Sequence, residues 1–226
     1  MLLKVPEQGT LADVAAHRLA HSIVTGELAQ GQKLNEAELA ESFGMGRGPL
    51  REALRHLEGM QLVKRIPNVG ARVVVLDRKT LSDLYAVREA LEGMACRIAA
   101  VQMTDDEIAQ LSALLDSHEE QIEQEGGKVY SQREGDLDFH LQIIRGSRNE
   151  MLMHLLGSEQ YQLLRMCRYR TSRNAQRTRP ALLQHRQIVD ALAHRDGELA
   201  ELLMRRHIQG AWRSISEMID KEEKAA

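Results

Sequence analysis

The stretch Glu36–Gly70 decides the fold of the N-terminal part of the chain, and it reads EAELAESFGMGRGPLREALRHLEGMQLVKRIPNVG. Before a turn at Gly44, a short helix is predicted by the apolar residues Ala37, Leu39, Ala40 and Phe43. After that turn a second helix is predicted, because apolar residues recur at i, i+3, i+4 and i+7, at Leu50, Ala53, Leu54 and Leu57. Two helices joined by a turn this tight predict a helix-turn-helix unit.

Basic residues indicate the kind of partner that this unit contacts. Arg47, Arg51 and Arg55 are four residues apart and therefore share one side of the second helix. Two β-rich runs, Val63–Ile66 and Ala71–Leu76, then flank a turn that contains Pro, Asn and Gly. A helix with a basic N-terminal half is typical of proteins that place a helix in the major groove of DNA, and the hairpin predicts a wing beside it.

The same stretch resembles the winged helix-turn-helix of GntR-type bacterial transcription regulators. The residues that match at fixed spacing are Gly26, Leu28, Gly31, Leu34, Glu36, Leu39, Ala40, Gly44, Met45, Arg47, Pro49, Leu50, Arg51, Glu52, Ala53, Leu54, Leu57, Leu62 and Val63. Two departures are Gly46, where the family usually has Ser or Thr, and Gln61, where Gly is usual. The resemblance implies DNA contacts from Arg47, Arg51, Gly46, Gly48, Arg55, Lys64, Arg65, Asn68 and Arg72.

Composition limits the number of domains and the classes of protein to which the chain could belong. The 226 residues suit one large or two modest domains, and the net charge of -3 excludes a generally basic nucleic-acid coat protein. The segment from Met45 to Arg72, however, contains six basic residues and only two acidic ones. Cys96 and Cys167 form no C-x-x-C pattern, so they predict buried thiols. No signal peptide and no membrane-length apolar run occurs, so we expect a cytoplasmic protein without membrane contact.

After Asp77 only helical patterns follow, and the prediction is a mainly α protein: a winged helix-turn-helix domain at 1–77 and an all-helical bundle at 78–226. The first unit also needs a helix at Leu11–Gly26. In the bundle the predicted helices are Thr80–Met103, Thr104–Glu125, Lys128–Arg145, Glu150–Ser172, Ala181–Ala193 and a last one ending near Lys221. The predicted inward face of the first of these consists of Leu81, Leu84, Val87, Leu91, Ala95 and Ile98.

Four residues of the bundle predict a metal site. Asp136 and His140 are spaced i, i+4 on one helix, while His185 and His207 lie on two later helices. One carboxylate and three imidazoles suit Zn²⁺ first, with Ni²⁺, Fe²⁺ or Mn²⁺ as alternatives. Spacing alone leaves the choice open, since three other histidines fit the helical periodicity equally well: His118, His154 and His194.

Resemblance decides this choice. The region from Leu81 to Ile219 is similar to the FCD ligand-binding domain that is often attached to GntR-type heads. That family has an Asp followed by a His in one short run, which Asp136 and Phe139-His140 match, and later histidines that match His185 and His207. The resemblance also implies that Arg88 faces an effector. Among Arg165, Arg168, Arg170 and Arg173, one or two are expected to face inward.

The leading hypothesis is a homodimeric regulator, in the usual family pattern a repressor, whose binding to double-stranded operator DNA responds to a small carboxylate or hydroxy acid at the metal. A second reading keeps the regulator but makes the metal structural, or the signal itself. A third is an all-helical metal-dependent enzyme with Asp138 or Glu134 as general base, which the DNA-binding head argues against.

Overall fold

A computed structural model of the chain describes residues 9–127, 138–159, 161–172 and 175–225, which form mainly helices. Two compact units are present: one contains the chain up to Leu76 together with 159–166, the other contains Asp77–Ser158 and the chain from Cys167 onward. Helices with a single two-stranded sheet among the described residues confirm the predicted fold class. The division at residue 77 stays a prediction. In the described stretches no helix is long and apolar enough to cross a membrane.

Three helices form the body of the first unit: α1 (Leu11–Val24), α2 (Glu36–Ser42) and α3 (Arg47–Gly59). Thr10 begins α1 with a capping box, in which its hydroxyl accepts from the backbone N–H of Asp13. The turn between α2 and α3 depends on Gly44, whose φ of 61° lies in the left-handed region. Small buried residues of α1 and α3 allow the two helices to approach closely, and Phe43 and Met45 cover that contact.

A hairpin completes the first unit. Strands β1 (Val63–Ile66) and β2 (Gly70–Val73) pair antiparallel, with Val63 opposite Val73 and Lys64 opposite Arg72. Gln61, the departure noted above, has a φ of 58°. The chain therefore keeps the left-handed turn for which the family uses glycine, at a cost of roughly 1–2 kcal/mol for a residue with a side chain.

The helices after Asp77 are α4 (Arg78–Gln102), α5 (Asp105–Gln124), α6 (Phe139–Gly146), α7 (Glu150–His154), α8 (Tyr161–Ser172), α9 (Ala175–Ala193) and α10 (Gly197–Ala225). Helix α4 is capped by Asp77 and α5 by a capping box of Thr104 and Glu107. Asn149 caps α7, because its side chain accepts from the backbone N–H of Leu152. Ion pairs of Arg78 with Asp220 and of Arg97 with Glu201 together show that α4 and α10 run antiparallel beside each other.

Three predicted helices have different bounds. The single helix Glu150–Ser172 is wrong, because a π-helical turn at Leu155–Glu159 separates α7 from α8. The break before Ala181 is also wrong: α9 begins at Ala175 and contains Pro180, which sits early enough in the helix to disturb only its first turns. Of the helix Lys128–Arg145, residues 128–137 lie outside the described part of the chain, and α6 begins at Phe139.

The predicted inward face of α4 is largely wrong. Leu81 and Ala95 are buried, but Val87 is 51% exposed, and the other three are half-buried: Leu84, Leu91 and Ile98. The interior instead receives Tyr85, Arg88 and Glu92. Because Arg88 and Glu92 neutralise each other inside the bundle, two charged residues occupy the face that an apolar pattern would assign to solvent.

Candidate metal centre and DNA-binding surface

The basic stripe of α3 lies on its exposed side. Arg47, Arg51 and Arg55 are all exposed, whereas the apolar residues of the same helix are buried. Arg51 Nε donates to Glu36 Oε2 at 2.9 Å, yet 59% of its side chain remains accessible. Gly46 occupies the N-cap without a side-chain hydrogen bond, and Gly48 is exposed with open space beside it. The helix N-terminus and its arginines therefore present donors to an anionic partner.

The predicted wing residues divide into two groups. Lys64, Arg65 and Asn68 are exposed, and Asn68 lies at the hairpin turn with a φ of 62°. Arg72 is half-buried, and its guanidinium donates to the backbone carbonyl of Gly31 at 2.7 Å. That contact ties the hairpin to the loop before α2, so a structural role is evident for Arg72. The roles of these residues in DNA contact stay predictions.

Three of the four predicted metal ligands meet inside the second unit. His140 on α6, His185 on α9 and His207 on α10 are 2%, 1% and 5% exposed, and each offers a ligand atom within 4.8 Å of the others. We call these three residues the histidine trio. The Nε2 atoms of His185 and His207 are 3.2 Å apart. Asp136, the fourth predicted ligand, lies outside the described residues.

Neighbouring side chains orient the trio. The Nδ1–H of His140 donates to Glu92 Oε2 at 2.6 Å, and the Nδ1–H of His207 donates to Gln184 Oε1 at 3.0 Å. His185 stacks on the ring of Phe139, with centroids 4.1 Å apart. Since Nδ1 is occupied in His140 and His207, Nε2 is the nitrogen that each can offer to a cation.

Burial keeps the trio uncharged. Desolvation lowers the pKa of His140 despite the opposing effect of Glu92, and it lowers the pKa of His185 and His207 well below the usual value. Burial alone would raise the pKa of Glu92, but Arg88 and then His140 more than reverse this and hold it well below its usual range. Neutral imidazoles beside an ionised carboxylate are the protonation states in which histidine binds a metal.

The donor set fits a divalent transition metal. Two nitrogens bound to one zinc ion at about 2.0–2.1 Å would be roughly 3.3 Å apart in a tetrahedral site, and the observed separation of 3.2 Å is close to this value. Imidazole suits Zn²⁺, Ni²⁺ and Fe²⁺. His140, His185 and His207 are therefore the residues that would hold the ion, which would supply a Lewis acid able to bind an anionic ligand.

Buried polar side chains with unpaired hydrogen-bond donors lie beside the histidine trio. Arg88 is 1% exposed, and its Nε donates to Glu92 Oε1 at 2.7 Å. Among the described residues, no hydrogen-bond partner exists for the buried Nη1 of Arg88 or for the hydroxyl of Tyr85, above whose ring Arg88 lies at 4.7 Å. Burial raises the pKa of Tyr85 to about 12, so this hydroxyl remains a donor. Two buried donors that lack a partner are groups that an oxygen ligand would use.

Two further arginines approach the same region. Arg168 on α8 is largely buried and forms an ion pair with Asp138, in line with the expectation that an arginine of this helix faces inward. Asp138 also caps α6, because its carboxylate accepts from the backbone N–H groups of His140 and Leu141. Arg177 donates to the backbone carbonyl of His207 at 2.8 Å, and desolvation lowers its pKa.

Sequence reasoning missed Glu92, Tyr85 and Asp138 as parts of this site. The available signal for Glu92 was its i, i+4 spacing from Arg88, a pair that can be buried together. For Asp138 the signal was its place just before Phe139, where a helix N-cap prefers Asp.

A winged helix-turn-helix with an exposed basic helix, followed by a helical unit with a buried histidine trio, defines a class: DNA-binding proteins with a second, helical domain. Comparison with known proteins agrees. Residues 11–73 match the family "Bacterial regulatory proteins, gntR family", and residues 83–210 match the FCD domain.

Two relatives and one solved structure extend the match. The "Nta operon transcriptional regulator" of Aminobacter aminovorans is 32% identical over 84% of this chain and 87% of its own length. A "Probable D-xylose utilization operon transcriptional repressor" of Paenarthrobacter nicotinovorans is 30% identical over 88% of this chain and 86% of its own. The structure of E. coli McbR/YncC superimposes with a TM-score of 0.72 at 21% identity, covering 95% of this chain and all of the other.

The chain belongs to the GntR family of bacterial regulatory proteins and carries an FCD domain. It is a DNA-binding transcription regulator, and its family and relatives are regulators rather than enzymes. Asp138 accordingly has no role as a general base, and its described contacts are those of a cap and an ion pair.

Proposed function

We propose that this regulator is a repressor that binds operator DNA as a homodimer and is controlled by a small carboxylate or hydroxy acid, bound at a metal held by the histidine trio. The observation that carries the proposal is the buried trio beside unused donors of Arg88 and Tyr85. The repressor assignment has the support of a relative whose name describes it as a probable repressor.

The charges of the described residues favour an anionic effector. Arg88 is neutralised by Glu92 and Arg168 by Asp138, whereas Arg177 donates to the backbone carbonyl of His207, which is not charged. A divalent ion held by the histidine trio would add positive charge to this buried region. A carboxylate or hydroxyl oxygen that reached the ion, with a second oxygen at Arg88 Nη1 or the Tyr85 hydroxyl, would offset the desolvation of these groups.

Control of DNA binding requires a coupling between two sites. An effector that binds more tightly to the form with low operator affinity shifts the balance toward that form, and the coupling in such proteins is typically ~1–3 kcal/mol, or about 5- to 150-fold in affinity. Two copies of α3 would occupy successive major grooves about one helical turn apart on a near-palindromic operator.

The deciding experiment measures binding of the protein to the DNA upstream of its own gene at fixed salt. A panel of di-, tri- and hydroxycarboxylic acids is tested with and without a chelator. Specific binding that one acid weakens only while metal is present supports the proposal. Specific binding that ignores every acid but is lost with chelator assigns the metal a structural or signalling role. Binding that ignores both acid and chelator refutes control through the trio.

A pair of variants separates effector control from folding. His185→Ala removes a trio member, while His118→Ala removes another buried histidine that lies outside the trio. We expect His185→Ala to bind the operator but to lose its response to the acid, and His118→Ala to retain that response. If His185→Ala instead melts at a much lower temperature and loses operator binding, the metal is structural.

A further inference from the structure

An ion pair joins the two helices of the helix-turn-helix unit. Glu36 is the first residue of α2, and Arg51 lies in the second turn of α3, 15 residues later. Arg51 Nε donates to Glu36 Oε2 at 2.9 Å, and the two side chains are 59% and 27% exposed. Exposed ion pairs contribute little to the stability of a fold. The main effect of this pair is therefore on the orientation of Arg51 rather than on folding.

Arg51 is the middle member of the basic stripe of α3. Arg47 and Arg55 are its neighbours four residues before and after, and like charges at this spacing repel each other. Among the described residues, Glu36 is the acid that bonds to the stripe, and its bond is with Arg51. Without Glu36, the guanidinium of Arg51 would be free to turn away from both neighbours. The carboxylate instead holds it in one orientation on the exposed side of the helix.

The bond through Nε leaves most donors of the guanidinium available. A guanidinium has five N–H donors in a planar fork, and Nε carries one of them. The other four are on the two Nη atoms of Arg51, and none of the described residues accepts from them. Paired arginine donors commonly bind guanine, whose O6 and N7 both accept in the major groove. A guanidinium that a carboxylate fixes at Nε can present such a pair in a defined plane.

We infer that Glu36 is a positioning residue for operator recognition: it orients Arg51 so that the Nη atoms bind a guanine, and it penalises other bases at that position. The inference goes beyond the proposed function, because it involves neither the effector nor the metal. It rests on the contact of Arg51 with DNA. Because the arginine side chain is already held in the free protein, it loses less rotamer freedom when it binds the matching base.

The penalty against other bases follows from charge. Where no guanine lies opposite it, the Arg51 guanidinium can bind a phosphate instead, but the change of direction would break its bond with Glu36. The Glu36 carboxylate would then lie close to polyanionic DNA without a countercharge. An incorrect base therefore costs an ion pair as well as two hydrogen bonds, and such a repulsive element is a common source of specificity. Glu36 thus increases the difference in affinity between the matching base pair and the others.

Competition binding with three kinds of duplex tests the inference. The first is an operator that the full chain enriches from a random pool without added acid, the second is a set of single-base-pair variants of it, and the third is a duplex of random sequence. Glu36→Gln should reduce discrimination at one G·C base pair by about 5-fold or more, the least that a bidentate arginine–guanine contact contributes. Its affinity for the random duplex should stay the same or rise, because a negative charge beside the basic stripe has been removed.

Three further proteins separate orientation from charge. Glu36→Asp keeps the carboxylate but shortens the side chain by one methylene group, so it should lose discrimination at the same base pair and keep its affinity for the random duplex. Glu38→Gln is the matched control, because Glu38 is exposed in the same first turn of α2 and carries the same charge. It should discriminate as the wild type does. In the Arg51→Ala protein, adding Glu36→Gln should not change discrimination further, since the side chain that Glu36 orients is absent.

Several results would overturn the inference. Unchanged discrimination in Glu36→Gln, or an equal gain in affinity for every duplex, would leave Glu36 with no effect beyond its charge. An equal loss for every duplex with a lower melting temperature would show a structural role. A loss of discrimination that persists in Arg51→Ala would show that Glu36 itself reads a base, and a uniform loss in Arg51→Ala would make Arg51 a phosphate contact. Because no acid is added, failure of effector control leaves these measurements unaffected.

Discussion

Replacing Glu92 by Gln is expected to weaken metal binding through His140. Glu92 accepts two hydrogen bonds, from His140 Nδ1 at 2.6 Å and from Arg88 Nε at 2.7 Å, and all three side chains are 1–2% exposed. Glutamine has one acceptor oxygen and one NH₂ group in place of two acceptors. In either orientation it therefore loses one of the two bonds and directs a donor at a donor.

Two magnitudes follow from this geometry. Loss of a hydrogen-bond partner behind a metal-binding histidine typically costs 10- to 100-fold in metal affinity, and we expect a change of about that size. Leaving the Arg88 guanidinium buried without its countercharge should also cost about 3–5 kcal/mol of unfolding free energy. For a chain of this length, that corresponds to a fall in melting temperature of roughly 6–20 °C.

The assay is competition for zinc against a chelating indicator, together with thermal unfolding in the presence of chelator. Glu201→Gln is the matched control: Glu201 is also ion-paired and largely buried in the same unit, but its partners are Arg97 and Arg205. The control should keep the wild-type zinc affinity. If Glu92→Gln binds zinc within twofold of the wild type and melts at the same temperature, Glu92 does not orient His140 and the reasoning fails.

Three further outcomes are expected. With metal removed, the free energy of unfolding should fall as pH drops below about 6.5, because burial lowers the pKa of the three histidines and the unfolded chain therefore binds protons first. The slope should be ~1.4 kcal/mol per pH unit for each extra proton that the unfolded chain binds. Equal stability toward urea at pH 7.5 and 5.5 would contradict this. Arg51→Ala should reduce discrimination at one operator base pair by about 1–3 kcal/mol in competition binding, whereas a uniform loss on all sequences would identify a phosphate contact. Gly197→Ala should lower the free energy of unfolding measured in urea by about 1–3 kcal/mol, since the new Cβ would lie 2.8 Å from the backbone oxygen of Arg97. The control Gly59→Ala should not lower it, because open space surrounds Gly59.

Local patterns were sufficient for the first unit. The helices around Gly44 and the hairpin after Leu62 were predicted because each depends on neighbours in sequence: an apolar period, a left-handed turn residue and a cap. The histidine trio was predicted only with the help of family resemblance, since nine histidines offered no local criterion for choosing three. The contact between His185 and His207 spans 22 residues and two helices, which periodicity does not encode.

Helix α4 shows why the inner and outer faces of a helix were confused. Its most regular apolar row includes Val87 and Leu91, and apolar periodicity alone cannot distinguish an apolar face that meets the core from one that lies at the surface. The buried face of α4 was not predicted because Arg88 and Glu92 are charged, and charged residues usually lie at the surface. Their burial depends on mutual neutralisation and on His140, which is 48 residues away from Glu92.

Because the three histidines lie far apart in sequence, a bound ion would also affect the stability of the fold. His140 and His185 are 45 residues apart and belong to separate helices, as do His185 and His207. A bound ion would act as a removable cross-link that closes two long loops, and at 100 times its dissociation constant it would add about 2.7 kcal/mol to the free energy of unfolding. Metal supply would then determine how long each molecule survives proteolysis in the cell, so that scarcity would reduce the amount of the regulator before any effector acted on it.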